Sequence, residues 1–209
     1  MWTAEIAARL QDRNISKASL VCTFMDSDEP VRGLAISGSL RRASSNSALI
    51  AAAARLAPDT VEISIYRGLA EIPPFNPDVV ESDDAPEAVT RFRAALQACD
   101  VVLVSSPEYP TEYQGVLKNA LDWVVGSGEL VNKPIALINA SGRAIHAWAS
   151  LAETLSVMSA NVIVEASITV PLDGRRLDAN LIVEDAGLST ALRAAMTALA
   201  GAARVTRGA

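Results

Sequence analysis

Histidine and cysteine are scarce in this chain of 209 residues: His146 is its single histidine, and Cys22 and Cys99 are its only cysteines. No CxxC or HExxH pattern occurs, which removes zinc sites of the usual ligand types. A Ser-His-Asp hydrolase would have to use His146, and no GxSxG elbow is present. Two cysteines without paired spacing fit a reducing cytoplasm, and Cys99 stands among apolar neighbours like a small core residue. Aromatic residues make up only 4%, so a core has to come from Ala, Val, Leu and Ile. No apolar run approaches the roughly 18 residues of a membrane-spanning helix. The N-terminus shows no basic stretch followed by an apolar one, so no secretory signal is expected. A net charge of −6 argues against a nucleic-acid partner and offers no polybasic membrane anchor.

What is present is regular from Val31 onward. Residues 1–30 read as an N-terminal extension, with a charged stretch Asp26-Ser27-Asp28-Glu29 before Pro30. Residues 31–209 read as one domain. Short apolar runs predict strands at Val31–Ser37, Val61–Arg67, Asp100–Ser106, Pro134–Ala140 and Asn161–Val170. Helical periods lie between them at Asn46–Leu56, Glu87–Ala98, Gln114–Val125, Ile145–Ala160 and Ala186–Arg204. Residues 68–86, with Pro73, Pro74, Pro77 and Pro86, read as a long loop. Five strands alternating with helices predict an α/β fold, a parallel sheet covered on both faces. Ligands of such sheets bind beyond the carboxyl ends of the strands, so the loops after the first, third and fourth strands matter most.

The first of these loops, Gly38 to Ser47, carries four serines, Asn46 and the pair Arg41-Arg42, and then a helix begins. Free amides and the positive end of a helix dipole favour a phosphate there. Neither GxxxxGK[ST] nor GxGxxG occurs, so neither a P-loop nor a dinucleotide fingerprint is formed. The third-strand loop reads Pro107-Glu108-Tyr109-Pro110, then Gly115-Val116-Leu117-Lys118-Asn119-Ala120-Leu121-Asp122-Trp123. Leu117, Leu121 and Val124 recur at core spacing, and Trp123 reads as packing. The fourth-strand loop runs Asn139-Ala140-Ser141-Gly142-Arg143-Ala144-Ile145-His146.

GSLRRASSN resembles the GSxRxxSxN phosphate loop of the NAD(P)H-dependent FMN reductase family, and PEY followed by GVLKNALDW resembles that family's flavin-ring signature. The resemblance implies a three-layer α/β/α flavodoxin-like fold with a five-stranded parallel sheet in the order 2-1-3-4-5. It implies FMN as cofactor, with Ser39, Arg41, Ser44 and Asn46 at the phosphate and Pro107, Glu108 and Tyr109 around the ring. Ser141, Gly142 and Arg143 would approach the flavin from the fourth-strand loop. The segment Ile72-Pro73-Pro74-Phe75-Asn76-Pro77-Asp78 resembles the family's PxFNPD stretch, which makes Phe75, with His146, a candidate for the substrate slot. No catalytic residue and no metal site is implied.

The implied activity is transfer of hydride from NAD(P)H through FMN to a quinone, flavin or similar small-molecule acceptor, in a cytoplasmic homodimer or homotetramer. An FMN-binding redox carrier or sensor without NAD(P)H turnover is the alternative. A non-flavin α/β protein with another phosphate ligand is a third reading. Pro110 stands where the family commonly has Asn, and Gln114 where it has Pro.

Overall fold

A computed structural model describes residues 29–81, 85–172 and 175–208. The extension expected at 1–30 lies almost wholly outside the described residues. Strand β1 (Val31–Ser37) leads to helix α1 (Ser45–Leu56), β2 (Val61–Tyr66), α2 (Pro77–Glu81), α3 (Glu87–Ala98) and β3 (Val101–Ser105). Helix α4 (Gly115–Asp122), β4 (Pro134–Asn139), α5 (Ile145–Val157), β5 (Asn161–Val162), β6 (Ile168–Thr169), α6 (Ala179–Glu184) and α7 (Ala186–Arg207) follow. The sheet runs β2-β1-β3-β4-β5, with β6 also paired to β4, and every pairing is parallel. This is the flavodoxin-like order that the resemblance implied.

The burial of each strand explains its place. All residues of β3 and β4 are buried, as a central parallel strand covered on two faces requires. In β2, Val61 is buried while Glu62 and Ser64 face outward, which suits an edge. Alternate side chains feed two separate cores. Leu34, Ile36, Val102, Val104, Ile135 and Leu137 pack with α3, α4 and α5. Val31, Ala35, Val101, Leu103, Ala136 and Ile138 pack with α1 and α7. Leu117, Leu121, Trp123 and Val124 are all buried, and so is the free thiol of Cys99, whose burial pushes its pKa up.

Three local expectations need correction. The fifth strand is not continuous over Asn161–Val170: β5 and β6 are separated by a 3₁₀ turn at Val164–Ala166. The Ser167 side chain accepts the Leu137 amide at 3.1 Å, so β4 keeps its donor satisfied where the strand departs. The proline-rich stretch is not structureless, since Asn76 accepts the Asp78 amide at 3.0 Å and Pro77 opens α2. The third helix ends at Asp122 rather than Val125. Helix α6 is an element that the sequence periodicity does not predict. Asp178 caps it by accepting the Leu181 amide, and Asp185 then caps α7.

At the amino edge of the sheet, Asp100 accepts the Arg32 amide at 2.7 Å and the Arg207 guanidinium at 2.6 Å. Burial opposes the carboxylate, but the hydrogen bonds from Arg207 and the Arg32 amide outweigh it and hold its pKa below the ordinary value. A depressed folded pKa means that stability is present above the unfolded value, near 4, and is lost as pH falls through the folded one. Asp100→Asn is therefore expected to cost roughly 1.5 kcal/mol at pH 7, the low end for hydrogen bonds to charged groups. Urea unfolding at pH 7 and pH 3 checks this: the gap between the two proteins should narrow at the lower pH.

Candidate functional site

Because β1, β3 and β4 are adjacent in the sheet, the loops at their carboxyl ends lie side by side, next to the point where strand order reverses. At the start of the β1 loop the Gly38 amide donates to the Ser105 carbonyl at 2.8 Å. A Cβ at Gly38 would lie 2.5 Å from Ser106 Oγ and 2.9 Å from Ser106 Cβ, so only glycine lets the two loops approach this closely. Ser44 then caps α1, accepting the Ser47 amide at 3.3 Å. The Ser39 hydroxyl accepts the Arg41 amide, and Ser37 and Ser47 share a hydrogen bond of 2.8 Å. Among the described residues, no acceptor takes the amides from Arg42 through Asn46. Arg41 and Arg42 are exposed and form no ion pair among the described residues. The result is an array of unsatisfied donors at the start of a 12-residue helix with two guanidinium groups beside it.

Asn46 is buried, and its Oδ1 accepts from Ser105 Oγ at 2.8 Å. It therefore ties the start of α1 to the end of β3 as well as lining the loop.

The β3 loop forms a small hairpin. Glu108 and Tyr113 pair as an antiparallel bridge, and the Tyr109 amide donates to the Glu112 carbonyl at 2.8 Å. Pro110, which has no N–H, falls in the exposed turn, where no donor is needed. Tyr109 is 57% exposed. Tyr113 is buried, and its hydroxyl donates to Thr154 Oγ1 at 3.1 Å. Burial pushes that phenol up, and the Thr154 bond offsets part of the rise, so Tyr113 stays a neutral donor.

The β4 loop is shaped by Asn139, a residue that the sequence did not single out. Its Oδ1 accepts the Ser141 amide at 3.0 Å and its Nδ2 donates to the Ala144 carbonyl at 3.0 Å. Ser141 Oγ accepts the Arg143 amide at 3.3 Å. Gly142 has open space where a Cβ would stand. Arg143 and His146 are exposed and unpaired among the described residues.

The Phe75 segment is pinned to α4. Asn119 Oδ1 accepts the Phe75 amide at 2.7 Å, and its Nδ2 donates to the Pro73 carbonyl at 2.9 Å. Trp123 Nε1 donates to the same carbonyl at 2.9 Å, and its ring meets Phe75 edge to face at 5.2 Å. Phe75 keeps 38% of its surface exposed, so the segment is a pinned wall with part of an aromatic side chain uncovered. Lys118 is spent on an ion pair with Asp122.

Residues 31–174 match the family described as NADPH-dependent FMN reductase. The chain belongs to that family. Among curated relatives, the NAD(P)H-dependent FMN reductase of Pseudomonas aeruginosa is 40% identical over 115 residues, 54% of this chain and 61% of that protein. The probable NADPH:quinone oxidoreductase 2 of rice (Oryza sativa) is 39% identical over 121 residues, 56% of this chain and 59% of that protein. The chain thus matches about three fifths of the length of these relatives. Among solved structures, the flavoenzyme NAD(P)H:(acceptor) oxidoreductase FerB of Paracoccus denitrificans superposes with a TM-score of 0.61 at 25% identity, covering 81% of this chain and 97% of its own.

The donors present fit the group that gives the NADPH-dependent FMN reductase family its name. A phosphate monoester is nearly doubly negative at neutral pH, and the open amides of Arg42 to Asn46 with Arg41 match that charge. A flat, largely apolar ring suits the exposed face of Tyr109, one loop away.

Proposed function

We propose that this protein binds FMN non-covalently across the loops after β1, β3 and β4 and acts as an NAD(P)H-dependent reductase of quinone- or flavin-like acceptors. The observation that carries the reading is the run of amides at the start of α1, beside Arg41, that find no acceptor among the described residues. It sits at the strand-order reversal and next to an uncovered tyrosine. Bound FMN would supply the two-electron chemistry, taking hydride from the nicotinamide and passing electrons to the acceptor. The chain's own part is to bind and orient. Ser39, Arg41, Ser44 and the amides near Asn46 hold the phosphate. Pro107, Glu108 and Tyr109 shape the ring's seat, and Ser141, Gly142 and Arg143 close it from the β4 side. Phe75 and His146 border the substrate slot. Arg143 offers positive charge to the reduced ring or to a dinucleotide phosphate.

The names of the relatives in Pseudomonas, rice and Paracoccus, which speak of NAD(P)H, FMN and quinone, support this reading. A homodimer or homotetramer is part of this reading, and a second copy of the chain would have exposed Phe75, Tyr109 and Ile145 available to cover. No helix among the described residues is long and apolar enough to cross a membrane. The buried free thiol of Cys99 suits a reducing compartment, and we assign the protein to the cytoplasm.

The purified protein is expected to be yellow with an FMN spectrum. Stopped-flow mixing with NADPH or NADH should bleach that colour, and a quinone should restore it over repeated turnovers. Bound FMN that neither nucleotide bleaches would make the protein a carrier or sensor. Protein that takes up no flavin would overturn the reading altogether.

A further inference from the structure

Helix α5 begins without a cap of its own. Its N-cap residue is Ala144, which has no side-chain acceptor, and its first turn holds no acidic residue. The amide that an N-cap side chain would normally engage is that of the third helical residue, Ala147. Glu108 Oε2 accepts that amide at 2.9 Å, although it stands 39 residues earlier, in the hairpin after β3. In α1 the equivalent amide, Ser47, is taken by the helix's own Ser44. A carboxylate at this position also faces the positive end of the α5 dipole.

The bond is the first of three. Ser150 Oγ donates to Glu112 Oε2 at 2.7 Å, and the Tyr113 hydroxyl donates to Thr154 Oγ1 at 3.1 Å. Residues 147, 150 and 154 are three and four apart, so one face of α5 receives all three ties from a hairpin of six residues. At the other side of the helix start, Asn139 holds the Ala144 carbonyl and thereby the β4 loop. Tyr109, more than half exposed, has little packing to hold it; its position follows from the hairpin and from Glu108 before it.

We propose that Glu108 is the cap of α5 supplied from the β3 hairpin, and that this bond joins the β3 and β4 loops into one rigid seat, making Glu108 a positioning residue for the flavin ring. The proposal rests on the reading that the site takes FMN. It assigns the Glu108 carboxylate to the protein scaffold rather than to the ligand.

Two measurements on the full chain test it. In flavin-free protein, Glu108→Ala should speed hydrogen exchange at the Ala147 and Tyr109 amides together, while the β1 amides keep their protection. An unchanged Tyr109 rate would overturn the proposal, whether or not flavin binds. In fluorescence titrations, Glu108→Ala should weaken FMN and riboflavin alike by about tenfold or more, the scale of a lost hydrogen bond to a charged group. Glu108→Gln keeps an acceptor for the Ala147 amide and should bind both within about fivefold of wild type, losing only the charge at the helix end. A Gln variant as weak as the Ala variant would overturn the capping role, and so would a loss for FMN alone. Glu112→Gln, which keeps an acceptor for Ser150, should bind like wild type. If Glu108→Ala fails to fold, Glu108→Gln decides alone: a loss of about tenfold or more for both flavins would overturn the capping role, and binding within about fivefold of wild type with unchanged exchange at Ala147 would support it. Wild-type protein that binds no flavin would refute the FMN reading instead, leaving the exchange rates to judge the tie.

Discussion

Arg41→Ala is expected to weaken FMN binding by about ten- to two-hundredfold while leaving riboflavin almost unaffected. The range follows from hydrogen bonds to charged groups, worth roughly 1.5–3 kcal/mol each. Arg41 is exposed and engaged by no carboxylate among the described residues, so its charge is available to a ligand rather than committed to the fold. Its amide is already held by Ser39 Oγ, which fixes the backbone from which the side chain departs. Riboflavin lacks the phosphate, so it reports on the ring seat alone. Fluorescence titration of flavin-free protein with both compounds separates the two contributions. Equal losses would place Arg41 at the ring or in folding. No loss for either would shift the phosphate to Arg42. Once saturated with FMN, the variant should be reduced by NAD(P)H at a near-normal rate.

Trp123→Ala should be the most damaging single change to stability, at about 3–5 kcal/mol. Trp123 is 2% exposed and ranks among the largest fully buried side chains. Its removal leaves a cavity beneath α4 and deletes the indole bond to the Pro73 carbonyl. The edge-to-face contact with Phe75 goes with it. In a chain of this size each kcal/mol moves the melting temperature by roughly 2–4 °C, so a fall of about 6–20 °C is expected in calorimetry. Trp123→Phe keeps most of the volume and should recover more than half of that loss. In both variants the Pro73–Phe75 segment loses one of its anchors, and the KM for the acceptor should rise if Phe75 walls the substrate slot. A melting temperature within 2 °C of wild type in the alanine variant would refute the clamp.

The parts of the fold legible in the sequence are those whose causes are local. The runs Val101–Ser105 and Pro134–Asn139 are apolar because both faces are covered, and a buried run announces itself. The β1 loop was legible because its donors are contiguous: serines, arginines and a helix start within ten residues. The fifth strand misled because Ile163, Val164 and Ala166 read as strand residues, whereas a 3₁₀ turn interrupts it at Val164–Ala166 and Ser167 takes the amide of Leu137, 30 residues earlier. Helix α6 has only six residues, too few to show a period. Asn139, Asn119 and Glu108 act through partners that sequence spacing does not predict. Asn119 and Trp123 stood inside a motif whose residues were visible, but their shared target, the Pro73 carbonyl, lies 46 and 50 residues away. The resemblance makes Asn46 a phosphate ligand; the task the structure shows for it, a buried bond to Ser105, is one that no pattern reveals.

The clasp at Asp100 has a practical consequence for handling the protein. Arg207, near the end of α7, also donates to the carbonyls of Glu29 and Pro30, where the chain enters β1. That corner lies at the amino edge of the sheet, and the loops after β1, β3 and β4 lie at the opposite edge, a strand's length of about 23 Å away at 3.3 Å per residue. A tether attached through Thr206→Cys, an exposed position in the last turn of α7, therefore holds the molecule with the loops after β1, β3 and β4 turned outward. Immobilised protein should keep those loops open to a ligand.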